Sequence, residues 1–181
     1  PPTTLTLTKT VTFDQVLLAD PTLKDFDPSA SDGLTQLNRL ATAMNTILKN
    51  TDPTKPPFDN WIDVATGKPT TGTVLPNLNL TWNADTSGFK IDAGTTVPAG
   101  TYISDFALSL NSDPATTFGK LLTKGGGSKQ VDPDVSGGVV NRPGSYTLSN
   151  VSFPLAVNPV GDEFASFNIK IGGVEAGGPI Y

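Results

Sequence analysis

Thr3-Thr4-Leu5-Thr6-Leu7-Thr8-Lys9-Thr10-Val11-Thr12-Phe13 is the stretch on which the reading of this chain turns. Leu5, Leu7, Val11 and Phe13 fall on one parity and Thr4, Thr6, Thr8, Thr10 and Thr12 on the other, a period of two held from Thr4 to Phe13. Alternation of that length is the mark of a half-buried β-strand, with one face on a core and the other in water. Lys9 alone interrupts the apolar row, and its long stem is expected to reach solvent near a sheet edge.

Working outward, Asp20 to Asp32 reads as a polar loop with Pro21 and Pro28. Ser31 or Asp32 can then cap a helix. Leu34, Leu37, Leu40, Ala41, Met44, Ile47 and Leu48 recur at spacings of three and four, one apolar stripe that ends at Asn50 and Asp52-Pro53. The spacing predicts a helix over 33–49, the only long one. Residues 51–73 are Pro-rich and irregular around the short patch Trp61-Ile62-Asp63-Val64. Leu78, Leu80 and Trp82 then alternate with Asn77, Asn79 and Thr81, and Phe89 and Ile91 return after a turn, so 77–92 is expected as a hairpin. Val97-Pro98-Ala99-Gly100-Thr101-Tyr102 reads as a turn feeding a strand that runs to Leu110. Lys124 to Gly138 has no periodicity and is expected as a flexible loop. Strands resume over Tyr146–Val157 and Phe164–Ile171. The sum is an all-β, antiparallel β-sandwich or jelly-roll-like fold with one inserted α-helix, read as a single domain over 1–181.

Composition agrees. Of the 181 residues, 36% are hydrophobic and only 16% charged, against roughly 25% in typical globular chains. Fifteen of the seventeen acids are Asp, a turn and cap residue, and Thr, the fit for a strand's wet face, occurs 25 times. There is neither histidine nor cysteine, which removes disulfides, Cys/His zinc sites and every nucleophile system built on His or Cys. A net charge of −5 and a pI near 4.5 argue against nucleic acid or an anionic membrane as partner. No apolar run is long enough for a membrane-spanning helix, so no membrane insertion is expected. The Pro1-Pro2 start is expected from initiator-Met removal in a chain made without a secretory signal, with a trimmed precursor as the alternative.

Chemistry finds few footholds. Glu163 and Glu175 could in principle act as a carboxylate pair, but nothing in their spacing opposes them, and enzyme activity is not expected. Gly125-Gly126-Gly127-Ser128-Lys129 lacks the order and flanks of a phosphate loop. Calcium is the one cofactor suggested: Asp25, Asp27 and Asp32, with Ser29, resemble an oxygen-donor loop, and Asp132 and Asp134 frame a second. Against an EF-hand, Ala30 stands where Gly is needed and no Glu closes the loop. Trp61, Trp82, Tyr102 and Tyr146 are the residues for a glycan-stacking platform, with Trp61 the best surface candidate. The sequons at Asn79 and Asn150 are as many as twelve Asn would yield by chance.

The first strand carries the positive clue. It can close its own sheet, or leave its domain and complete a neighbour's by β-strand addition. Leu5, Leu7, Val11 and Phe13 would then form the subunit interface, and burying four such side chains is worth roughly 6–12 kcal/mol before ordering costs. In composition and element order the chain loosely resembles small jelly-roll virion subunits and β-sandwich pilin-like filament proteins. No diagnostic motif carries residues across. A coat that packages RNA has a basic arm, whereas Lys9 is the one basic residue of 1–13. The expected function is a structural, self-assembling subunit of a virion (capsid, tail or outer shell) or an extracellular filament, with copies of itself as partner. The alternative is a carbohydrate-binding or adhesin module.

Overall fold

The fold is that of a computed structural model, which describes residues 2–50, 52, 54–57, 60–70, 76–94, 101–110, 127–137, 139–151 and 163–175. At residues 2, 3, 109, 110, 127, 163, 164 and 173–175 it describes the backbone alone.

The opening alternation folds as β1 (Pro2–Thr12). Leu7 and Val11 are fully buried, Leu5 half-buried, and Thr4, Thr6, Thr8, Thr10 and Thr12 line the other face. The strand stops one residue short of the expected Phe13, and the cause is local. The Thr12 hydroxyl accepts the Gln15 N–H at 3.3 Å while the Gln15 side chain accepts the Thr12 N–H at 3.0 Å. That reciprocal capping box starts helix α1 (Phe13–Ala19), which keeps Phe13 and Val16 in the core. A 3-10 turn follows at Pro21–Asp25, with Asp20 accepting the Thr22 N–H, and Leu23 and Phe26 are buried. The loop expected over 20–32 is therefore partly ordered.

Helix α2 (Gly33–Lys49) has the bounds that its apolar stripe predicts, and it buries Leu37, Leu40, Met44, Ile47 and Leu48. Gly33 is required at its start, because a Cβ there would overlap the Pro28 carbonyl oxygen. Short strands β2 (Ile62–Asp63) and β3 (Lys68–Pro69) follow. The hairpin is β4 (Leu78–Asn83) and β5 (Gly88–Ala93), in which Trp82 opposes Phe89 edge-to-face at 5.1 Å. Then come β6 (Tyr102–Leu110), β7 (Gly127–Val131), β8 (Asp134–Ser136), β9 (Val139–Arg142), β10 (Ser145–Ser149) and β11 (Glu163–Glu175). Strands β7 and β8 correct the reading of 124–138 as structureless, since cross-strand pairing holds Gly127–Val131 against β10 where sequence periodicity gives no sign. Strand β10 ends at Ser149, before Asn150, which takes φ 56°, and residues 152–157 of the expected strand lie outside the described residues.

The strands form two principal antiparallel sheets, β3-β2-β1-β11-β6 and β4-β5-β10-β7, plus the β8-β9 hairpin. Buried side chains of both sheets and of α2 make up one hydrophobic core. The result is an antiparallel β-sandwich with an inserted helix. Phe106 of one sheet meets Tyr146 of the other at 5.7 Å.

Gly88 of β5 packs against the end of β10, where a Cβ would overlap the Leu148 carbonyl oxygen. Gly88→Ala must push two paired strands apart and is expected to cost about 1–3 kcal/mol, as overpacking does. A urea unfolding midpoint equal to that of the unsubstituted chain would contradict this packing.

Candidate assembly interface

The site is built from β1 and the edges of the two sheets. Strand β1 lies third of five and pairs antiparallel with β11 from Pro2↔Glu175 to Thr12↔Glu163. On its other side Leu7 and Thr8 pair with Asp63 and Ile62, and the Thr6 carbonyl accepts the Val64 N–H at 3.0 Å. In the regular middle of β1, Thr6 and Thr8 thus turn their backbone groups towards β2, and Leu7 and Lys9 towards β11.

This interior position explains Lys9. Far from reaching solvent at an edge, its side chain is 1% exposed, on the core side with Leu7 and Val11. A buried ammonium is costly unless engaged, and Lys9 does have a partner. Of the four residues expected at a subunit interface, Leu7, Val11 and Phe13 sit fully buried within the chain's own core and Leu5 against it. The contact that a neighbour's strand would make is present here within one chain.

Each sheet carries a side-chain carboxamide on an outer strand. Asn45, on α2, donates from Nδ2 to the Leu80 carbonyl at 2.7 Å and accepts the Leu80 N–H at 2.7 Å. Its amide does for β4 what one residue of a further strand would do. Nδ2 also meets Asn79 Oδ1 at 3.0 Å. Gln130, on β7, treats β6 similarly but with longer bonds, accepting the Phe106 N–H at 3.3 Å and donating to the Ser104 carbonyl at 3.4 Å. Neither contact is legible in the sequence, because each joins residues 24 or more apart with no local pattern.

The expected calcium residues are drawn into turns. Asp27 Oδ1 accepts the Ser29 N–H and hydroxyl at 3.0 and 2.6 Å, and Asp32 Oδ1 accepts Gln36 Nε2 at 2.8 Å. Asp25 closes the 3-10 turn, and Asp132 Oδ1 accepts Gln130 Nε2 at 2.8 Å. Among the described residues no three carboxylates converge on one point. Asp52 is held below the ordinary carboxylate range, first by the Thr54 hydroxyl, then by the Thr54 N–H, with Lys55 adding to it. It is a turn cap.

Trp61, the expected surface aromatic, is instead 1% exposed. Its indole N–H donates to the Leu48 carbonyl at 3.2 Å, satisfying an orphan acceptor in the last turn of α2. Tyr146 is buried too, and Trp82 packs on Phe89. On the outer face of the first sheet, Thr6, Phe106 and Lys170 border a shallow depression of about 80 Å³.

No protein-family model, curated protein or solved structure matches the chain.

Asn45→Ala leaves the Leu80 N–H and carbonyl without their carboxamide partner and is expected to cost about 1–3 kcal/mol. Asn45→Asp adds a sign to that test. The carboxylate would face two acceptors, the Leu80 carbonyl and Asn79 Oδ1, so its folded pKa rises above the unfolded value. The stability difference from the unsubstituted chain should therefore be small below the ordinary carboxylate pKa and grow as pH rises through the folded one. Denaturant titrations of both variants at pH 4 and pH 7 measure it, and a pH-independent difference would contradict the geometry.

Proposed function

We propose that the chain is a structural subunit that self-assembles by β-strand addition, β1 of one copy filling the slot of β1 in the next. The setting is a virion capsid, tail or outer shell, or an extracellular filament. The observation that supports this reading is that β1 is held by non-local partners, residues 62–63 on one side and 163–175 on the other. Pairing of that kind is indifferent to which copy supplies the strand, provided the connection reaches.

The exchanged unit is β1 together with α1, whose junction the Thr12–Gln15 capping box locks, and the Pro21–Asp25 turn that follows them. The hinge is the turn Asp27–Asp32, where Ser29, Ser31 and Asp32 are exposed. Inserted into a neighbour, Leu5, Leu7, Val11 and Phe13 would meet the core they meet here. The partner is a copy of the same chain. The carbohydrate-binding alternative loses its best surface aromatic with the burial of Trp61.

The absence of native cysteine allows a direct test. Thr8 opposes Asn168, and by the alternation above the two form a non-hydrogen-bonded pair, the close spacing that suits a disulfide. Assembled Thr8→Cys/Asn168→Cys protein, oxidised and run without reductant in detergent, is expected to give a ladder of covalent multimers. A single monomer band from assembled material would mean that β1 stays at home.

A further inference from the structure

We infer that the outer edge of β6 is a docking edge for a second copy of the chain, joined β6 to β6 about a two-fold axis, with Gln130 as its displaceable guard. Among the described residues the four outer strands of the two principal sheets differ in how they are closed. Strand β3 has two residues, one of them Pro69, which cannot donate to a ladder. Strand β4 is held by Asn45 through two 2.7 Å bonds. Strand β7 has five residues and includes exposed Lys129. Strand β6 has nine residues with no proline and no lysine, and its one acid, Asp105, is paired with Lys170 at 4.0 Å. Short length, proline and lysine are the usual protections of an edge, and β6 has none of them.

Among the described residues, what guards β6 is the Gln130 amide, at 3.3 and 3.4 Å, the long end of the hydrogen-bond range. Gln130 Nε2 also donates to Asp132 Oδ1 at 2.8 Å, a bond it can keep when it leaves β6. An incoming strand therefore exchanges two long bonds for a row of ladder bonds. A second copy suits the edge by charge. The Phe106 N–H and Ser104 carbonyl point outward, so antiparallel pairing with Phe106 on the axis makes Phe106 the hydrogen-bonded pair. Asp105 then faces Ala107 of the other copy, and no like charges oppose one another. The contact is isologous and closes as a dimer. It goes beyond exchange of β1, which refills the same interior slot and leaves this edge as it is.

Ala107 is exposed, so charged substitutions there leave the folded chain intact. Ala107→Asp would set an acid against Asp105 of the other copy twice per dimer, and sedimentation equilibrium should show dimerisation weakened roughly tenfold. Ala107→Lys should not weaken it. Gln130→Ala, which removes the guard, should strengthen it. In the unsubstituted chain, hydrogen exchange of the Phe106 amide should slow as protein concentration rises. Equal dimer constants for the Asp and Lys variants, or Phe106 exchange indifferent to concentration, would overturn the inference. The Thr8–Asn168 cross-link reads β1 exchange alone, so adding Ala107→Asp to that pair leaves its ladder unchanged and separates the two failures.

Discussion

The antiparallel pairing of β1 with β11 is the constraint on which the rest of the structure depends. It joins residues 2–12 to residues 163–175, so the loop it closes spans nearly the whole described chain. Strands β2 and β3 reach the first sheet only through β1, and β6 only through β11. The ordering cost of so long a loop must be met before its contacts stabilise anything, which makes the sheet a non-local and slow-forming structure. Once it is formed, fully buried Leu7 and Val11 fix the register, since a slip by one residue would carry the row to the solvent face.

A sheet assembled this way has edges, and edges are where β proteins associate without control. Here α2 lies along β4 and supplies Asn45, whose single amide satisfies both backbone groups of Leu80. Helix α2 is thus more than a cover for the core. Gln130 does a looser version of the same for β6 from the opposite sheet, and the difference between bonds of 2.7 Å and bonds of 3.3–3.4 Å sets the two edges apart. On the proposed reading, in which copies of the chain associate, this unequal closure would give direction: one edge is shut and the other is held by weaker bonds.

Several departures from the sequence reading trace to signals that compete or are silent. Thr12-Phe13-Asp14-Gln15 contains a legible capping box, but Phe13 also continues the apolar parity of β1, and the longer pattern hides the shorter one. Trp61, in a run of prolines and polar residues, looks like a surface aromatic. Only the end of α2, with its unpaired Leu48 carbonyl, shows why the indole turns inward. Gly127–Val131 has no alternation to read, and β10 alone makes a strand of it. For the candidate interface the sequence reached Leu5, Leu7, Val11 and Phe13 through their shared parity. It missed Asn45 and Gln130, because a polar residue that mimics a strand carries no mark of doing so.

What the sequence by itself determined is local. The period-two row of β1, the three-and-four spacing of α2 and the 77–92 hairpin rest on steric and solvation preferences of neighbouring residues, and they hold wherever the segment sits. What only the tertiary structure decided is which strand lies beside which. That order places β1 inside its sheet rather than at an edge, takes Lys9 out of water and gives Asn45 and Gln130 their backbone partners. The physical reason is that these contacts link residues far apart in the chain. Their free energy belongs to the closed sheet and to no segment of it.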